Sequence, residues 1–501
     1  MSYTQKLFGT DAEGKFRHFF SIMLPILITQ TAIMGMNFFD TIMSGHAGAE
    51  QLAGTSIGGN LWMPIFTTIN GILIAATPLT AHLLGAGQRR KTGRIVCHGL
   101  CLAILFSVFC FIAGSLFLQP FINSLGLEPQ VAHIAVYYLA GVGIGIIPFF
   151  MGTVLRAFID TLGGTRLTMQ VYLAALPVNG VLNYVLIYGK MGLPPLGGIG
   201  AGIGTGITCW LIFGMFVLII RHHSQYRDIK IFREHVSREN CCNVAHQKQE
   251  EIRSDKERNS SLRKGNLLSE TERETFLSKT LLLEYLRIGV PIGLSIFMET
   301  SIFGVVAFLV ARFGTAAIAA SQASMNFASL LYMLPLSVSM SMTILTGIEA
   351  GARRWRNAEQ YGNAGLAFNW TCALVLPALC YPLRYPIAHM YVTEPEVMDV
   401  CVRFLTYGCL FTMGDAVAAP IQGILRGYKD VNAPFYSSLI AYWGICTPLG
   451  LYFDYMLNHG PYSYWQSLDI GIFVSALILF LRLLHIRRKL RRENEIYGNT
   501  D

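Results

Sequence analysis

Long apolar runs, rather than short alternating ones, dominate this chain. The first reads FFSIMLPILITQTAIMGMNFFDTIMSG from Phe19 to Gly45. A run of about 20 apolar residues is long enough to cross a bilayer as a helix. In lipid a helix satisfies every backbone group within its own segment, so helix is the form these runs must take. The pattern predicts spans at about 19–44, 52–83, 95–118, 131–153, 168–189 and 197–220, then a polar stretch at 221–280. Further spans follow at about 283–312, 317–347, 363–390, 399–425, 434–457 and 468–486. Several exceed one bilayer thickness, which implies tilt or extension beyond the lipid. The expected organisation is a tail at 1–18, a six-helix bundle at 19–220, a linker at 221–280, a second six-helix bundle at 281–487 and a tail at 488–501.

Charge orients the spans. Even-numbered loops are basic: Arg89, Arg90, Lys91 and Arg94 in the second, Arg156 and Arg166 in the fourth. Arg353, Arg354 and Arg356 lie in the eighth, Arg426 and Lys429 in the tenth, and the chain ends near IRRKLRR. Odd-numbered loops such as AGAEQ, GLEPQ and TEPEVMD carry almost no Lys or Arg. The positive-inside rule then puts both termini and the 221–280 linker in the cytoplasm. The linker mixes both signs of charge with Ser, Asn and Gln and reads as a tether.

The halves repeat. Under a shift of 266, Leu24-Pro25-Ile26 meets Val290-Pro291-Ile292, Gly48 meets Gly314, Asn60 meets Asn326 and Gly85-Ala86 meets Gly351-Ala352. Under a shift of 270, LRAFID at 155–160 meets LRGYKD at 425–430. Six spans per half is an even number, so the halves run parallel. The expected fold is an all-α polytopic membrane protein: twelve transmembrane helices in two six-helix bundles, related by a pseudo-two-fold axis along the membrane normal. Such a frame suits alternating access around a central site.

Composition narrows the class. The chain is 53% hydrophobic and 14% charged with a mean hydropathy of +0.46, values of a polytopic membrane protein rather than a soluble one. The net charge of +8 comes from short loops and the C-terminus, so no nucleic-acid partner is expected. The eleven cysteines are scattered through apolar runs and read as small buried hydrophobes. The first run is too long for a signal-peptide core.

Four stretches carry a family resemblance: FFDTIMSGHAGAEQLAG at 38–54, LRAFIDTLGGTRLTM at 155–169, NYVLIYGKMGLPPLGGIGAGIGT at 183–205 and GILRGYKD at 423–430. Together they resemble the multidrug and toxic compound extrusion (MATE) family, and its bacterial NorM-type branch most closely. The resemblance covers nearly the whole chain except 221–280, where the linker is longer than is usual in the family. It implies a V-shaped exporter in the bacterial cytoplasmic membrane that uses an inward Na+ or H+ gradient to expel amphipathic, often cationic, compounds. A monomer with no cofactor beyond the coupling ion, and no enzymatic activity, is the matching expectation.

Embedded polar residues supply the candidate chemistry. Asp40 lies near the far end of the first run, where a carboxylate costs several kcal/mol, on the order of 2.5–3.5. It faces a polar cavity or caps the next loop. Asn179 and Asn183 are four apart and share a helix face. With Asp40, and with Thr205 adding a hydroxyl, they form an oxygen-rich pocket suited to a hard cation or a proton. The resemblance places these four in the cavity of the first half. Where some relatives carry Asp, this chain has Asn183, one carboxylate fewer.

Glu299 and Asp415 sit at roughly mid-span, with no basic residue within one helical turn. The resemblance makes them the cation-binding acids of the second half and the place for Na+, if Na+ is the coupling ion. The repeat does not copy them: Glu299 aligns with Ile33, and Asp40 with Val306. Pro25 and Pro291, in matching places, are expected to kink the first helix of each half. Met36, Phe38, Met298, Phe303 and Tyr332 suit an adaptable drug-binding wall, or ordinary membrane packing.

Other classes fit less well. An intramembrane aspartyl protease would show Tyr-Asp and Gly-x-Gly-Asp, where this chain has Phe39-Asp40 and Thr412-Met413-Gly414-Asp415. Neither His-Glu-x-x-His nor a nucleotide-binding loop is present, so the energy source is an ion gradient. A lipid-linked oligosaccharide flippase of related fold is the main rival. It would line its cavity with Arg or Lys to hold pyrophosphate.

Overall fold

The computed structural model describes residues 12–226, 229, 278–391 and 395–497. Most of the predicted linker, the outer parts of both tails and residues 392–394 of the ninth loop lie outside the described residues. The first half runs through α1 (Ala12–Ala47), α2 (Ala49–Leu73), α3 (Ala76–Gly85), α4 (Thr92–Ser124), α5 (Pro129–Ile144), α6 (Ile146–Thr161), α7 (Thr165–Tyr188) and α8 (Gly198–His222). The second runs through α9 (Lys279–Val310), α10 (Thr315–Gly351), α11 (Trp355–Cys380), α12 (Arg384–Tyr391) and α13 (Pro395–Gly427). It ends with α14 (Asn432–Ser438), a π-helix (Leu439–Cys446), α15 (Thr447–Tyr455) and α16 (Ser463–Tyr497).

Ten helical stretches among the described residues are long and apolar enough to cross a membrane. The pair α5 and α6, bent by 47°, makes an eleventh. The bend falls at Gly145, where a Cβ would press to 2.7 Å of the Gly206 Cα, so only glycine lets α8 approach the corner. The twelfth span is composite: α14, the π-helix and α15 follow one another without a gap. The predicted span at 363–390 resolves into α11 and the short α12. Arg156 and Arg426, assigned to loops from the sequence, lie inside α6 and α13.

Two apolar cores hold the halves. One centres on α4, α6 and α7, with Val96, Phe150, Val154 and Phe158 fully enclosed. The other centres on α10, α13 and α16, with Val338, Phe404, Ile421 and Leu468. The first helix of each half belongs to both. In α1, Phe19, Ile22, Met23 and Ile26 pack in the second core, while Ala32 and Met36 pack in the first. In α9, Tyr285, Ile288 and Ile292 pack in the first core, while Ile302, Val306 and Val310 pack in the second. The changeover follows Ile26 and Ile292, repeat partners that each sit beside a proline, Pro25 or Pro291. Both helices run unbroken through that proline.

The repeated glycines have a physical reason. Gly48 and Gly314 precede α2 and α10 with φ of 146° and 96°, a backbone that L side chains avoid. Gly85 and Gly351 face each other across the seam. A Cβ on Gly85 would strike the Ile348 carbonyl, and one on Gly351 would strike the His82 carbonyl. The halves are joined here, at the end where the linker emerges. His82 Nε2 lies 2.7 Å from the Gly427 carbonyl, Tyr285 donates to Leu73 O at 2.6 Å, and Lys15 donates to Asn357 Oδ1 at 2.7 Å. A side-chain contact between Thr67 and Thr300 at 3.4 Å lies further along the helices. Among the described residues no hydrogen bond joins the halves at the opposite end.

The described ends of the linker are both clasped by the first half. Arg89 donates to Gln225 O and Gln225 donates to Leu162 O, each at 2.5 Å. Ser278 N donates to His98 Nε2 at 3.0 Å.

Candidate functional site

In the first half, α1, α7 and α8 bring four predicted residues together. Asn183 Nδ2 donates to Asp40 Oδ1, and Thr205 Oγ1 donates to Asp40 Oδ2 at 2.7 Å. Asn183 also reaches Asn179 Oδ1 at 3.3 Å, as one helix face requires. Asn179 in turn donates to Thr208 Oγ1 at 3.4 Å. Asp40 is therefore a member of a polar cluster, not a loop cap. Both asparagines are buried, and Asn183 Oδ1 has no hydrogen-bond partner among the described residues. A buried carbonyl oxygen left unpaired is costly. The cluster as a whole offers a carboxylate, two amides and two hydroxyls, a donor set whose chemistry suits a hard cation or a proton. Gly204 makes room for the Asn183 side chain, because a Cβ there would strike Asn183 Oδ1. The sequence reading missed Thr208, although it lies three residues beyond Thr205 on the same helix. It also missed Tyr138 of α5, which is within electrostatic reach of Asp40.

In the second half, Glu299 of α9 is held by two donors on the same oxygen. Gln422 Nε2 lies 2.7 Å and Ser438 Oγ 2.8 Å from Glu299 Oε1. Ser295, one turn earlier on α9, meets Ser438 at 3.1 Å. Asp415 of α13 is within electrostatic reach of Glu299 but makes no hydrogen bond among the described residues. Tyr332 of α10 and Tyr442 of the π-helix interact electrostatically with both acids. One acid is thus tethered and the other open. Gln422, Ser438 and Tyr442 were not singled out from the sequence. Gln422 was legible as one of few amides inside an apolar run; Ser438 and Tyr442 carry no local signal.

The five residues expected to form a drug-binding wall differ in exposure. Met36 is buried in the first core, whereas Phe38 is 61% exposed. Phe303 packs edge-on against Phe411, ring centroids 5.4 Å apart, in the second core. Met298 is half-buried beside Glu299, and Tyr332 half-buried near Asp415. A cavity of about 360 Å³ lies elsewhere, at the linker-end seam between Leu79, His82, Glu284, Gly351 and Lys429.

The family model described as MatE matches this chain twice, at residues 25–185 and 291–452, beginning at the two repeat-matched prolines. A probable multidrug resistance protein NorM of Halalkalibacterium halodurans is 40% identical over 97% of this chain and 98% of its own length. Proteins of the same description from Oceanobacillus iheyensis and Bacillus thuringiensis are 39% and 41% identical over 96% of this chain and 99% and 97% of theirs. Among solved structures, a MOP superfamily transporter from Pyrococcus furiosus aligns with a TM-score of 0.81 at 15% identity, covering 98% of this chain and 99% of that one. The eukaryotic MATE transporter AtDTX14 aligns at 0.78 and 18%, covering 96% and 99%. These likenesses establish the twelve-helix, two-bundle fold. The doubled model match and the full-length relatives show that the chain belongs to the MATE family.

Proposed function

We propose that this protein is a secondary active antiporter that exports amphipathic, often cationic, compounds in exchange for inward Na+ or H+. It acts as a monomer in the bacterial cytoplasmic membrane, with both termini and the linker end in the cytoplasm. The basic loops at that end and the names of the full-length relatives support this reading. The observation that carries it is the pair Glu299 and Asp415, on separate spanning helices of one half. Two carboxylates within electrostatic reach of each other repel when both are ionised, which favours a bound cation or proton. Asp40 with Asn179, Asn183 and Thr205 serves substrate binding or a second ion event. An ion can bias a two-state protein only by binding one state better than the other. Here occupancy neutralises a site that must be enclosed as the halves rock. Pro25 and Pro291, at the changeover between cores, let each first helix bend with that motion. A lipid-linked oligosaccharide flippase is disfavoured, because the acids outnumber the one arginine connected to them.

Cells overproducing the protein are expected to accumulate less ethidium than control cells, and an uncoupler restores accumulation. Unchanged accumulation of a panel of cationic dyes, with the protein present in the membrane, would sink the reading.

A further inference from the structure

The repeat pairs LRAFID with LRGYKD, and so pairs Arg156 with Arg426 and Asp160 with Asp430. The structure treats the two arginines differently. Arg156 keeps its own acid: Nε lies 3.4 Å from Asp160 Oδ2. Its Nη2 donates to Gln30 on α1 at 2.8 Å, and its guanidinium lies 5.2 Å from the Tyr172 ring centroid. That cluster is electrically complete. In the second half Asp430 is drawn away and pairs with Arg482 at 2.7 Å. No carboxylate among the described residues lies within ion-pair distance of Arg426. Its Nη2 instead donates to Gln422 Oε1 at 3.1 Å, and Gln422 Nε2 donates onward to Glu299. Arg426 Nε has no hydrogen-bond partner among the described residues. Gln422 stands where the first half has Gly152, so the amide spacer belongs to the second half alone.

A guanidinium does not give up its proton, so Arg426 brings a permanent positive charge into the bundle. Such a charge needs a counter-charge nearby. The groups that interact with it electrostatically are Glu299 and Tyr332. The other charged or titratable groups close to the end of α13 have partners of their own. Glu284 pairs with Lys429, Glu349 with Arg354, and His82 with the Gly427 carbonyl. The Gln422 amide keeps the guanidinium one hydrogen bond away from Glu299. A direct ion pair would occupy the carboxylate. The spacer fixes the amide, with N–H toward Glu299, and leaves Glu299 Oε2 open.

We propose that Arg426 is the resident counter-cation of the Glu299–Asp415 site, positioned through Gln422, so that one monovalent cation rather than two neutralises that site in each cycle. With both acids ionised and Arg426 charged, the site carries a net charge of −1. The inference rests on Glu299 and Asp415 being the coupling site. It adds the stoichiometry of that site and a reason the ion can leave: the resident charge weakens its binding.

The test is ion-induced release of bound ethidium from the purified full chain. It is run in an Asp40→Asn background, at ethidium concentrations that saturate that variant, so that the slope reports the second half alone. Na+ is titrated at fixed pH, and protons without Na+. The parent should titrate with a Hill slope near one. Arg426→Gln should lower the midpoint concentration of the ion about tenfold or more, since an attractive charge is unmasked, and steepen the slope. Arg426→Lys, which keeps the charge, should restore the slope. Gln422→Leu should move the midpoint and keep the slope. If Arg426→Gln does not fold, adding Glu299→Gln removes the uncompensated charge and should recover folded protein; failure to recover it overturns the inference. An Arg426→Gln titration matching the parent in midpoint and slope also overturns it. Glu299→Gln separates the two levels. If it still releases dye on ion titration as the parent does, the coupling-site reading fails; if it does not, and Arg426→Gln is silent, only the present inference fails.

Discussion

Glu299→Gln and Asp415→Asn are expected to abolish gradient-driven efflux while leaving a folded protein that still holds a cationic dye. The geometry explains both halves of that result. Gln at 299 keeps the carbonyl oxygen that Gln422 and Ser438 donate to, at 2.7 and 2.8 Å. Asp415 makes no hydrogen bond that Asn would break. Each change conserves volume, so packing costs stay below about 1.5 kcal/mol. What each loses is the charge. Driving a two-state equilibrium from 1:99 to 99:1 takes a ligand with about 10⁴-fold, or about 5.5 kcal/mol, preference for one state. A neutral amide offers an ion nothing comparable. Asp40→Asn should instead weaken efflux to a degree that varies with the substrate. The measurements are initial efflux rates in energised vesicles and thermal unfolding of the purified variants. Wild-type rates for both second-half variants, with Asp40→Asn alone inactive, would move the coupling site to the first half.

Gly85→Leu and Gly351→Leu should each slow transport sharply by forcing the seam apart. Glycine in a helix normally costs about 1 kcal/mol relative to Ala, so adding a side chain tends to stabilise. Here it cannot. The obstacle on each side is a backbone carbonyl of the opposite half, Ile348 or His82, and a backbone does not move aside as a flexible side chain does. Overpacking of this kind costs roughly 1–3 kcal/mol. The cost falls on the state closed at the linker end, so efflux should drop about tenfold or more for a loss of that size. Hydrogen exchange should rise in α3 and in the last turns of α10. Gly114 is the control: a Cβ there meets nothing within 4 Å, and Gly114→Ala should leave efflux unchanged. Normal transport by both seam variants would show that the halves need not close here.

The spans were legible because lipid leaves the backbone no alternative to helix, and apolar run length then counts them. Their interruptions were not. The corner at Gly145 depends on Gly206 of another helix. Arg156 and Arg426 read as loop residues because hydropathy falls where charge appears, although the helix and the bundle continue past them. In the first-half cluster, Asn179 and Asn183 were readable as one helix face and Asp40 as an anomaly in an apolar run, while their common cavity with Thr205 was implied by the family resemblance. The tether on Glu299 was not readable, since Gln422 and Ser438 come from separate segments more than a hundred residues away. The sharing of α1 and α9 between the two cores was also hidden. Phe19 belongs to the first half in sequence, yet it packs in the second core.

Efflux from proteoliposomes, with an inward Na+ gradient or an inward pH gradient imposed one at a time, tests the central claim most directly. The purified protein should move ethidium against its gradient under at least one of them. Transport should cease when an ionophore collapses that gradient, and Glu299→Gln should be inactive under both. Equal dye movement with no ion gradient, or full activity in Glu299→Gln, would contradict the account.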